Sequence, residues 1–169
     1  METGTLGGSR PDPLRALADR AARSYGWRVT DGETGDVRMR VCGDWSDYDL
    51  AIRPCAERNA LAVRCAFALA PPAERWGEVV RLADNLNRRF YRGALELNRG
   101  SDRGIYCDWV PLDAWSGRAT LAVETMRAAV GTCDLMLFPA FHSVAWAEIS
   151  AEAALGTIPL GEMPTHSIH

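Results

Sequence analysis

The sequence predicts an α+β fold in which a single antiparallel sheet of about five strands carries helices on one face. Two observations support this prediction. Segments with apolar residues at helical spacing are separated by runs of segments in which apolar and polar residues alternate one by one. Gly43-Asp44 then provides a tight turn between two alternating segments, because glycine readily adopts the positive φ that such a turn demands. The predicted order is α-βββ-α-ββ-α(α), and a length of 169 residues suits one domain.

The first helix follows a flexible lead, residues 1–11. Asp12 can act as its N-cap by accepting a free backbone amide, and Pro13 suits the first helical position. Apolar residues recur at helical spacing as far as Tyr25. Gly26 ends the helix because it can adopt the left-handed conformation.

Three consecutive strands come next. The first alternates between residues 37 and 41, the second between 47 and 52, and the third between 60 and 69. Arg38 and Arg40 share the polar face of the first strand, opposite Asp47 and Asp49 on the second. We therefore expect cross-strand charge pairs on a solvated face of the sheet.

The second half repeats the alternation of helix and strands. A helix from Trp76 to Tyr91 ends at Gly93, and short strands follow at residues 95–97 and 105–110. A third, strongly apolar helix runs from residue 119 to 137, and Pro139 predicts a kink or a restart there. A short last helix starts at Ser150 and ends at residue 156. The domain therefore spans residues 12–156, and residues 157–169 form a tail.

Composition narrows the function classes. All 19 basic residues are arginine, and 22 acidic residues leave a net charge of −3, so the excess of positive charge that nucleic-acid binding needs is absent. No secretory signal is predicted, because residues 1–11 are polar and Gly-rich with no apolar or basic region. No membrane span is predicted either, because the longest uncharged stretch, residues 135–147, is short of the roughly 20 residues that cross a bilayer. Five cysteines without a CxxC pair predict no disulfide framework. We expect a cytoplasmic protein.

The motifs of common enzyme classes are missing. The sequence contains no G-x-G-x-x-G, no P-loop and no G-x-S-x-G elbow. His166 and His169 lie in the predicted tail, where they are poorly organised for metal binding, so we predict neither a metal nor a cofactor. The alternative to a binding protein is a small-ligand sensor or enzyme with a pocket near His142, Cys133 and Trp146.

Large apolar side chains exceed what a core of this size needs, and such a surplus often marks an interface. The alternative is that all of them belong to the core. The candidate partner or dimer surface consists of Trp45, Tyr48, Leu135, Phe138, Phe141 and Trp146.

Three segments together resemble the YbjN-domain family, from about residue 12 to residue 156. They are Gly43-Asp44-Trp45-Ser46-Asp47-Tyr48-Asp49-Leu50, the stretch from Leu82 through Phe90 to Leu97, and Phe138-Pro139-Ala140-Phe141-His142-Ser143-Val144-Ala145-Trp146 with residues 150–155. Two departures affect the expected partner specificity. Ala147-Glu148 replace glycines that commonly follow the family's tryptophan, and the fifth strand reads Tyr106-Cys107-Asp108-Trp109 where a basic residue is usual.

The resemblance implies a fold similar to that of the dimeric type III secretion chaperones and implies no catalytic residues. We therefore expect a non-catalytic regulatory or chaperone-like protein-binding module that resembles bacterial sensory transduction regulators and acts as a homodimer. Its protein partner is unknown from the sequence, and neither nucleic acid nor a membrane is expected as a partner.

Overall fold

The computed structural model describes residues 12–32, 35–112 and 119–159. The helices are α1 (Pro13–Tyr25), α2 (Trp76–Asn87), α3 (Ala119–Thr132), α4 (Phe138–Trp146) and α5 (Ala151–Gly156). The strands are β1 (Arg28–Asp31), β2 (Val37–Cys42), β3 (Asp47–Cys55), β4 (Ala60–Ala68), β5 (Ala94–Asn98) and β6 (Arg103–Pro111). The predicted α+β class with helices packed on a single antiparallel sheet is confirmed.

The sheet has six strands in the order β1-β2-β3-β4-β6-β5, and every neighbouring pair is antiparallel. The strand missing from the sequence prediction is β1, which pairs Val29 with Met39 at the edge of the sheet. Its four residues are too few to show a clear alternation, so pattern alone does not reveal it.

Both ends of α1 form as predicted. The Asp12 carboxylate accepts a hydrogen bond of 3.0 Å from the Leu14 amide, and Gly26 adopts a φ of 72°. The predicted N-cap therefore satisfies one of the free amides at the start of the helix.

The two faces of the sheet differ. Alternate residues of β2 and β3, among them Met39, Leu50 and Ile52, are buried beneath the helices, whereas their neighbours are exposed or half-buried on the opposite, open face. Ile158 is also buried in the core. The packed segment thus extends two residues past the predicted boundary, while residues 1–11 and 160–169, with both C-terminal histidines, lie outside the described residues.

The helix at the centre of the fold is interrupted at residues 133–137, which form a π-helical turn between α3 and α4. Phe138 donates its amide to the Cys133 carbonyl, five residues back. Pro139 lacks an amide and its ring would crowd the Leu135 carbonyl in a regular α-helix, and the wider turn provides the restart predicted from the sequence.

The whole helical segment, Ala119–Trp146, has the length and composition of a helix that could cross a membrane. Half of its most apolar window is buried inside the fold, as in a core helix. Its first part, α3, packs against β4 and β6 in the core.

Candidate functional site

A buried carboxylate joins the π-helical turn to the β2–β3 turn. Asp134 is only 7% exposed and accepts hydrogen bonds from the amides of Asp44, at 2.8 Å, and Trp45, at 3.0 Å. The Tyr48 hydroxyl donates to the same carboxylate at 2.7 Å. We call these four residues the turn latch. Because bonds to an ionised acceptor are stronger than neutral ones, the turn latch fixes the β2–β3 turn against the central helix.

Glycine is required beside the turn latch. A Cβ atom on Gly43 would lie 2.5 Å from the Asp134 carboxylate oxygen and 2.5 Å from the Tyr48 ring. Neither group can retreat easily, since each is held by the other. The prediction that Gly43 supplies the positive φ of a two-residue turn is wrong, because Gly43 is not among the glycines with positive φ and four residues connect β2 to β3. The glycine instead permits the close approach of a helix.

The electrostatics of the turn latch keep Asp134 ionised. Burial raises the pKa of Asp134, but the bonds from the two amides and the Tyr48 hydroxyl lower it by more, so the pKa lies below its usual value. Burial and the neighbouring carboxylate raise the pKa of Tyr48. At neutral pH the tyrosine is therefore a donor and the carboxylate an acceptor.

Exposed apolar side chains lie next to the turn latch. Trp45 is 62% exposed and Leu135, the residue after Asp134, is 66% exposed. Half-buried Phe138 and exposed Trp146 follow Leu135 on one side of the helix, with the exposed His142 ring between them at centroid distances of 5.9 Å and 4.8 Å. We call Trp45, Leu135, Phe138, His142 and Trp146 the apolar ridge.

Two residues of the candidate partner or dimer surface predicted from the sequence, Tyr48 and Phe141, are buried. Tyr48 and Phe141 have no exposed area. The Tyr48 side chain points inward to the Asp134 carboxylate, and the Phe141 ring packs 5.9 Å from Phe67 in the core. Alternation along β3 places Tyr48 on the inner face of the sheet. Phe138, three residues before Phe141 and on a neighbouring face of the helix, also approaches Phe67, at a centroid distance of 6.3 Å, but is only half-buried.

The alternative pocket near His142, Cys133 and Trp146 is not assembled. Cys133 is fully buried, and its thiol lies 3.8 Å from the Cys65 carbonyl. Burial raises the pKa of this thiol, which keeps it protonated. His142 instead lies on the exposed side of the helix among aromatic rings. Among the described residues, no group of three or more histidine, cysteine or acidic side chains could hold a metal ion.

The other two sequence motifs also contain structural contacts. The Asn87 side chain donates to the Leu95 carbonyl at 2.8 Å and accepts from the Leu95 amide at 2.7 Å, so it ties the end of α2 to β5. Arg75 donates two hydrogen bonds, of 2.6 Å and 2.9 Å, to the carbonyl of Val144 within α4. It donates a third, of 2.7 Å, to the carbonyl of Ile149 beyond the end of α4. These contacts hold the helices against the sheet behind the apolar ridge.

Sequence reasoning did not identify Asp134, Asn87 or Arg75 as organising residues. A signal exists for Asp134, which is the one acidic residue between Glu124 and Glu148. A charged residue in so apolar a segment indicates a buried partner. The partners themselves, about 90 residues away in the chain, are visible only in the structure.

Comparison with protein-family models matches residues 17–142 to YbjN, described as "Putative bacterial sensory transduction regulator". The chain belongs to the YbjN family. The matched region of this YbjN chain contains the turn latch, Asn87 and most of the apolar ridge. Trp146 and α5 lie beyond the matched region, whereas the resemblance seen in the sequence runs to residue 156.

No curated protein and no solved structure shows a significant match to this YbjN chain. The similarity to type III secretion chaperones therefore stays a prediction from the sequence. The family description supports a regulatory module and names no reaction.

Proposed function

We propose that this YbjN chain is a non-catalytic, cytoplasmic regulatory module that binds another protein and self-associates through the apolar ridge. The observation that carries the proposal is that Trp45 and Leu135 are both more than half exposed and both adjoin the buried Asp134, Trp45 through its amide and Leu135 as the next residue. All five cysteines are free, which supports a reducing compartment.

The turn latch lowers the entropic cost of an interface at this position. Trp45 lies on a loop, and loops usually lose conformational freedom when they bind. Here its own amide is already bonded to Asp134, so the backbone that presents the indole is fixed before association. Tryptophan is also among the residues that contribute most to binding when a partner covers them.

The composition of the ridge favours a lasting contact over a transient one. Residues 135–147 contain no charged side chain, and obligate interfaces are more apolar than transient ones. Along the helix, the ridge from Leu135 to Trp146 spans roughly 16 Å at 1.5 Å per residue. Trp45 at one end and exposed Ile149 beyond the other extend the apolar area. Two copies related by a twofold axis can bury the ridge against itself.

Size-exclusion chromatography with light scattering tests the self-association. The wild-type chain is expected to be a dimer at tens of micromolar, whereas Trp45→Ala combined with Leu135→Ser is expected to be a monomer with an unchanged circular-dichroism spectrum. Tyr91→Ala is the matched control, because Tyr91 is an exposed aromatic residue, 99% exposed, that follows α2 and is not part of the ridge. A monomeric wild type, or equal dissociation of the control variant, contradicts the proposal.

A further inference from the structure

The open face of the sheet carries a groove of about 560 Å³ that the apolar ridge does not share. Five arginines line this groove, against two acidic residues: Arg38, Arg40, Arg53, Arg64 and Arg103, with Asp36 and Asp49. We call it the arginine groove. The lining has a net charge of +3 (five minus two), although the whole chain has a net charge of −3.

The strand register gives the arginine groove a floor and two sides. Ala51 on β3 lies between Arg38 on β2 and Arg64 on β4, and both pairings are direct Cα partners. Ala66 lies two residues after Arg64 on β4 and is the Cα partner of Asp49. Since neighbouring strands are about 4.8 Å apart, arginine backbones flank the alanine floor at a separation of about 10 Å. The short alanine side chains leave room between the guanidinium groups.

The arginines are incompletely neutralised. Arg40 approaches Asp49 at 3.3 Å and Asp47 at 3.6 Å, as the sequence predicted, but Asp49 is shared with Arg103. The sequence also predicted that Arg38 pairs with Asp47 or Asp49, but its guanidinium group instead lies 3.5 Å from the Asp36 carboxylate.

Arg64 pairs with Glu96 at 2.9 Å. The exposed Arg53 forms no ion pair with any described residue. Even with Asp47 and Glu96 included, five arginines face four carboxylates, a charge of +1. Exposed ion pairs of this kind contribute little, so these guanidinium groups can exchange partners at low cost.

We propose that the arginine groove binds an extended acidic segment of a partner protein, with carboxylates on alternate residues. Such carboxylates are about 6.6 Å apart, which matches the spacing of Arg38 and Arg40 on one strand. Guanidinium groups bind carboxylates through paired, charge-assisted hydrogen bonds. Because β3 and β4 are already paired on both sides, the segment binds through its side chains and does not add a strand.

The lining favours this occupant over two others. A single-stranded nucleic acid stacks its bases on aromatic side chains, and none of the described residues that line the groove is aromatic. A second copy of this chain, placed by a twofold axis, would bring the net positive lining against itself. The proposal therefore does not depend on the oligomeric state of the protein.

Fluorescence anisotropy with defined probes tests the proposal. The probe is a labelled eight-residue peptide of alternating glutamate and alanine, compared with the same peptide carrying glutamine and with a labelled eight-nucleotide oligothymidine. The test variant is Arg53→Glu. The matched control is Arg89→Glu, which makes the same charge change at an exposed site just after α2, on the helical side of the sheet.

The glutamate peptide is expected to bind at 50 mM NaCl and to weaken at 300 mM NaCl, and the glutamine peptide is expected not to bind. Arg53→Glu is expected to weaken binding about tenfold or more, and Arg89→Glu less than about threefold. Absence of binding at 1 mM peptide, equal losses in the two variants, equal binding of the glutamine peptide, or tighter binding of the oligonucleotide each overturns the proposal.

Discussion

Removal of the Asp134 carboxylate is expected to destabilise the fold even though the residue lies outside the apolar core. In Asp134→Ala, three donors lose one acceptor: the amides of Asp44 and Trp45 and the hydroxyl of Tyr48. The two amides belong to exposed residues of a turn, so water can replace the carboxylate there. Tyr48 has no exposed area, and its hydroxyl is left without a partner.

The magnitude follows from these three groups. A buried, unsatisfied hydroxyl costs about 1–3 kcal/mol, and each lost amide bond about 1 kcal/mol after exchange with water. Asp134→Ala is therefore expected to lower the free energy of unfolding by about 3–5 kcal/mol. Tyr48→Phe removes the hydroxyl but keeps the ring, so by the same reasoning it costs only about 1–1.5 kcal/mol.

Urea denaturation followed by tryptophan fluorescence measures these values, at one fixed protein concentration because any self-association shifts the apparent stability. The decisive comparison is the double variant. In the Asp134→Ala background, Tyr48→Phe removes an unsatisfied group and is expected to be neutral or stabilising. A loss below about 1 kcal/mol for Asp134→Ala, or an equal cost of Tyr48→Phe in both backgrounds, refutes the reasoning.

The pH dependence provides a second check on the same residue. The pKa of Asp134 is lower in the folded chain than its ordinary value, so the folded state favours the ionised form. Its contribution to stability is therefore present above the unfolded pKa, at about pH 4, and is lost as the pH falls through the folded value. The stability difference between the wild type and Asp134→Ala is expected to shrink between neutral pH and about pH 3.

Three further results are expected. Gly43→Ala lowers the urea midpoint, because the added Cβ would lie 2.5 Å from the Asp134 carboxylate and from the Tyr48 ring. Gly131→Ala, at a helical site with no atom within 4 Å of the added Cβ, raises the free energy of unfolding by about 0.5–1 kcal/mol. An unchanged midpoint for Gly43→Ala contradicts the close approach. Asn87→Ala leaves both backbone groups of Leu95 without their side-chain partner and lowers the free energy of unfolding by about 2 kcal/mol in the same assay, and a loss below about 0.5 kcal/mol argues against the contact. When the folded chain is treated with a thiol reagent at pH 8, exposed Cys42 is expected to react before the three buried cysteines. Mass spectrometry of the peptides measures the order of labelling, and a buried cysteine that reacts before Cys42 contradicts the packing.

The fold was predictable because its signals are local. The alternation of apolar and polar residues predicts which residues of β2 and β3 point inward. The N-cap Asp12 and the glycine that ends the helix, Gly26, mark the two ends of α1. The interruption near Pro139 also follows from one residue, since a missing amide disturbs a helix wherever it lies. The edge strand β1 escaped prediction because four residues carry too little periodicity.

The candidate site depends on contacts that no local pattern contains. The apolar surplus in the sequence grouped Trp45 with Tyr48 and Phe138 with Phe141, yet one member of each pair is exposed or half-buried and the other lies in the core. Only tertiary packing brings Asp134 to a turn about 90 residues earlier in the chain.

The arginines show the same division. Their number and the small net charge are properties of the sequence, and so is the pairing of Arg40 with its cross-strand neighbours. The surplus at the arginine groove is not, because charge on a surface depends on which strands lie side by side. The sequence thus determined the elements and their inner faces through local periodicity, whereas the tertiary structure decided which exposed residues meet, since those contacts join distant parts of the chain.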